Sequence, residues 1–68
     1  MKENEKEWFL SLPKEMKLKL LGDMLNEGET GMALATATIL LDAPITKGGI
    51  STDEISEVMD AGIKKMGS

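Results

Sequence analysis

Carboxylates and ammonium groups are the side chains here that could carry catalysis. The chain has twelve Asp and Glu and eight Lys, and no His, Cys, Tyr, Arg or Gln. Carboxylate pairs can serve as general acid and base, and a desolvated lysine can act as a nucleophile. Either role needs the groups gathered in a pocket. Each acid of this chain instead falls at an expected helix start or on an expected solvent face. A pocket of ~300 Å³ would also consume much of a 68-residue core. No catalytic constellation assembles, so the expectation is a protein that is not an enzyme. Without Cys and His, disulfides and the usual thiolate or imidazole metal sites are out of reach, and no cofactor or metal is expected.

One stretch invites a test for a hard cation. Gly48-Gly49-Ile50-Ser51-Thr52-Asp53-Glu54 resembles the second half of an EF-hand calcium loop, with Gly48 on the turn glycine, Ile50 on the hydrophobic position and Glu54 on the bidentate acid. In the same register the first three side-chain ligands would be Ala43, Ile45 and Lys47. None of these coordinates calcium, and a glycine turn leading into a capped helix accounts for every matching residue. Leu12-Pro13-Lys14-Glu15-Met16 with Leu20-Leu21 likewise resembles the opening of an F-box; the pattern goes no further, and proline at a helix start is general helix chemistry.

The charge of −4 disfavours phosphate backbones and anionic lipid surfaces as partners. The last helix, read as the recognition helix of a helix-turn-helix, would present Asp53, Glu54, Glu57 and Asp60 to DNA, which is the wrong sign. Neither nucleic acid nor membrane is therefore an expected partner. The apolar run from Gly31 to Leu41 is too short for a membrane span, which needs ~20 residues. The acidic start followed by Trp8 resembles no signal or transit peptide, so a cytoplasmic location is expected.

The elements that must carry these residues are helical. The expected fold class is all-α: one domain, a small three-helix bundle with a short N-terminal aromatic segment. Residues 1–4 are expected to be disordered and the helices to span 5–11, 13–27, 31–42 and 52–66. Asn4 suits an N-cap for the aromatic segment, Pro13 the start of the first main helix and Gly28 its left-handed stop. Met16, Leu20, Leu21, Met24 and Leu25 make its apolar stripe, with Lys14, Lys17 and Asp23 facing elsewhere; Gly22 is the expected point of close helix approach. Thr30 suits the next N-cap, and Pro44 ends that helix. The Thr–Ala alternation there leaves a strand as the alternative. Ser51 and Glu54 form a capping box with Ile50 and Ile55 as its staple, ahead of a stripe of Ile55, Val58, Met59, Ile63 and Met66.

What remains for function is apolar surface. Trp8 and Phe9 are the largest apolar side chains; at least one ring is expected in the core and the other on a partner. The helix over 31–42 has almost no polar face, and such a helix is normally covered on most sides. Two flanking helices are not expected to cover it, which points to a second copy or a stable partner complex. The expected function is a regulatory, non-enzymatic protein–protein interaction module, a small adaptor or inhibitor. Trp8, Phe9 and Leu12 are its partner-binding residues, and Met32, Leu34, Ala35, Thr38 and Leu41 its self-association face, giving a homodimer. The alternatives are a structural homo-oligomer and an acidic mimic of nucleic acid.

Overall fold

In this computed structural model, residues 3–66 are described, and helices α1 (Glu3–Ser11), α2 (Lys14–Asn26), α3 (Thr30–Asp42) and α4 (Thr52–Met66) form an all-α bundle. A single 3-10 turn, Ile45–Lys47, lies between α3 and α4, inside what the sequence suggests is plain loop. The radius of gyration of 11.4 Å matches the roughly 11 Å of a compact chain this long.

Local chemistry explains most helix ends. Pro13 sits at the N-cap of α2 with extended backbone angles, one position earlier than a proline inside the first turn. Gly28 at φ +80° closes α2. Its N–H donates to the Leu25 carbonyl and the Glu29 N–H to the Met24 carbonyl, the paired bonds of a Schellman stop. Glu29, not Thr30, is the N-cap of α3. Ser51 precedes α4 and donates its hydroxyl to Glu54 Oε1 at 3.4 Å, while Ile50 and Ile55 are both buried. α1 begins at Glu3, so residues 3 and 4 are helical where disorder was expected. Residues 1 and 2 lie outside the described residues. Asn4 thus falls within the first turn, where its Oδ1 accepts the Glu5 N–H at 3.0 Å, one of the donors that a helix start leaves without a backbone partner.

The core is Phe9, Leu21, Leu25, Ala33, Ala37, Leu40, Ile50 and Ile55. α2 is central: it packs most extensively on α4 and next on α3, whereas α3 and α4 touch little. The close approach of α2 and α4 occurs at Gly62, not Gly22. A Cβ on Gly62 would lie 2.5 Å from Leu25 Cδ1 and 2.8 Å from Leu25 Cβ. One on Gly22 would sit at an ordinary 3.9 Å from Val58. The stripes are also rotated from their expected centres. Met16 and Ile63 are exposed, and the side chain of Met66 lies outside the described residues.

The main departure is Lys17. It is only 3% exposed, not solvent-facing, and its Nζ donates to the Leu10 carbonyl at 2.9 Å and the Gly48 carbonyl at 2.6 Å. Both acceptors lie at helical C-terminal ends, of α1 and of the 3-10 turn, where partial negative charge gathers. Gly48 has φ +95°, and a Cβ there would overlap the Leu10 carbonyl oxygen. Only glycine lets the turn come close enough for one ammonium to hold both strands of backbone.

Candidate functional site

The sequence-selected aromatic group is divided by the fold. Phe9 is 4% exposed and belongs to the core, Leu12 is half-buried against it, and Trp8 is 63% exposed. The period of a helix forces the split, since adjacent residues point about 100° apart. Phe9 faces α2, and Trp8 stands beside the seam between α1 and α2.

At that seam lies an apolar depression of about 350 Å³, lined by Trp8, Phe9, Leu20, Met24, Thr36 and Glu5. A second depression of about 310 Å³ continues it along α3, lined by Met32, Ala35, Ile39 and again Glu5, Met24 and Thr36. Together they form one groove across α1, α2 and α3. Its floor is satisfied: the buried Thr36 hydroxyl donates to the Met24 thioether at 3.5 Å. Its walls include two methionines, whose unbranched side chains can reshape around an incoming group.

α3 contributes to this groove and also shows a second face. Ala33, Thr36, Ala37 and Leu40 are turned into the bundle. Met32, Leu34, Ala35, Thr38 and Leu41 are all exposed, Met32 at 56% and Leu34 at 59%. The Thr38 hydroxyl bonds back to the Leu34 carbonyl at 2.9 Å, which reduces the polarity of that face further. So the alanines divide, two permitting close packing inside the chain and Ala35 lying outside it.

A larger, open cleft of about 460 Å³ lies over the Lys17 contacts, lined by Glu7, Leu10, Ser11, Thr46, Lys47 and Gly48. It gathers Glu7, Lys47 and the hydroxyls of Ser11 and Thr46, and the Ser11 hydroxyl donates to the Trp8 carbonyl at 2.6 Å. The Gly48 carbonyl is occupied by the Lys17 ammonium. Among the described residues no group of three or more acids is placed to hold a metal ion, and no helix is long and apolar enough to cross a membrane.

One titration stands out. The Lys14 ammonium, 2.7 Å from Glu54 Oε2, holds the Glu54 carboxyl below the ordinary carboxylate range; the Ser51 hydroxyl acts in the same sense, and partial desolvation opposes both. This pair ties the first turn of α2 to the first turn of α4.

Sequence reasoning missed Lys17 and the groove for different reasons. For Lys17 a signal existed: it stands four and eight residues before Leu21 and Leu25, at the centre of the buried stripe. For the groove there was none, because it depends on how α1 and α3 flank α2. Comparison with protein-family models, curated proteins and solved structures finds no match to this chain.

Proposed function

We propose that this protein is a non-enzymatic interaction module that binds another protein through the groove beside Trp8. The observation that carries the reading is a largely exposed tryptophan on the rim of an apolar groove in a chain that contains a single Trp. An indole left 63% exposed gains little from burial in the monomer, and tryptophan is enriched among interface anchors. Contiguous exposed apolar surface on a small domain marks contact sites in the same way. Phe9 lines the groove from the core side, Leu12 packs against the core outside the groove lining, and Trp8 is the group a partner would cover.

The test is capture from a lysate of the native source by the chain and by Trp8→Ala. A dominant partner retained by the first and lost by the second supports the reading, provided both give the same circular dichroism. An unchanged set of captured proteins overturns it.

A second reading, a structural homo-oligomer, is favoured by one observation: α3 carries no charged residue from Thr30 to Leu41, so its exposed face suits another uncharged helix. A second copy packed on Leu34, Thr38 and Leu41 would meet that need. Sedimentation equilibrium over a wide concentration range checks it. A dimer dispersed by Leu34→Lys supports this assembly, and a monomer throughout overturns it.

A further inference from the structure

We infer that the occupant of the groove is a basic amphipathic helix supplied by the partner protein. The inference rests on the interaction-module reading and adds the chemistry of what is bound. Groove shape comes first. Along α3 the lining residues Met32, Ala35 and Ile39 repeat at helical spacing over seven residues, about 10 Å of rise. A straight apolar trough of that length between helices takes the apolar face of another helix, read as anchors three and four residues apart.

Charge then selects the class of helix. Glu5 lines both halves of the groove, and no lysine lines either half. Asp23 on α2 and Glu27 at its C-cap lie three and seven residues beyond Leu20, Lys19 stands one residue before it, and all three are exposed. Glu29 stands at the N-cap of α3, also exposed. An incoming helix with Lys or Arg flanking its apolar stripe finds its counter-charge in Glu5, the charged residue that lines both halves. An acidic helix is repelled there, and the uncharged stretch of α3 from a second copy gains nothing from it. The methionines Met24 and Met32 allow leucine, isoleucine or aromatic anchors to seat without one fixed shape.

The test uses the full chain and two synthetic helical probes of about four turns, sharing one leucine face. One carries lysines on its polar face and the other glutamates. Each is titrated at low salt while Trp8 emission is followed. The lysine probe should move the emission to the blue with one-to-one saturation, and should weaken as salt is added. Glu5→Gln should reduce its affinity roughly fivefold with helicity unchanged. The glutamate probe should leave Trp8 unmoved.

Equal responses to both probes would overturn the basic partner and leave the interaction module standing. Lysine-probe binding without a Trp8 response would place the contact elsewhere and overturn the inference. A blue shift in the chain alone that tracks a doubling of mass would give the groove to a second copy. A groove silent to both probes would overturn the inference together with the role of Trp8 in the proposed function.

Discussion

α4 packs closely along α2 whereas α1 meets the bundle lightly, and the two are held by different means. Against α4 the contact is dense: Gly62 lets Leu25 approach its backbone directly, Ile55 is buried, and Lys14 and Glu54 pair across the helix starts. α1 is attached by the buried Phe9 ring, the half-buried Leu10 side chain and the Lys17 ammonium on the Leu10 carbonyl, with an open groove beside them. The difference teaches where this domain can carry function. The α2–α4 seam leaves only a small depression of about 160 Å³ beside Gly22 and Gly62, whereas a lightly attached helix can expose its remaining side chains without loss of fold.

The largest way to break that contrast is Lys17→Met. It leaves the Leu10 and Gly48 carbonyls without their charged donor and should cost about 3 kcal/mol, since bonds to a charged group contribute ~1.5–3 kcal/mol each and water can replace part of the loss. Amide exchange should rise first in α1 and around the 3-10 turn, with α2 and α4 protected longer. Uniform loss across all helices would mean that α1 is not separately attached.

Next comes the seam itself. Gly62→Ala should destabilise by roughly 1–3 kcal/mol through overpacking against Leu25, in spite of the better helix propensity of alanine. Urea unfolding should show one cooperative transition shifted to lower denaturant. A stabilised variant would show that Leu25 can move aside.

A smaller effect belongs to the Lys14–Glu54 pair. The carboxyl is held below its ordinary value in the folded chain, so its contribution is present in full above the unfolded carboxylate range and is lost as pH falls through the folded value. Melting temperatures of the wild-type chain should therefore decline on acidification more than those of Glu54→Gln. Parallel pH profiles would remove the pair from the account of the seam.

The smallest change sharpens the contrast from the other side. Trp8→Ala should leave stability within ~0.5 kcal/mol, as expected of an exposed position. A substantial loss in chemical denaturation would place the indole in the fold and count against its role on the groove rim.

Helix ends were legible in the sequence because they are decided by near neighbours. Gly28 stops α2 through bonds to residues three to five positions away, and Ser51 with Glu54 marks the start of α4 within one turn. The all-α class followed from the same local signals. Burial was less legible, because it depends on which helices meet. Lys17 reads as surface until two distant carbonyls arrive to receive it, and Gly22 and Gly62 look alike until Leu25 meets one of them. For the candidate surface, Trp8 and Phe9 stood out by size alone. Only the orientation of α1 separated the ring that supports from the ring that is offered.

The Lys17 contact has a consequence for how such a chain can vary. When two side chains hold each other, a change in one favours a compensating change in the other, and the pair leaves a correlated trace among related sequences. Lys17 grips main-chain oxygens, which every residue type supplies. Position 10 can therefore drift among apolar residues without disturbing the grip, and position 48 is held to glycine by its own backbone. The contact that joins three segments of this fold would leave no covariation signal between the positions it connects.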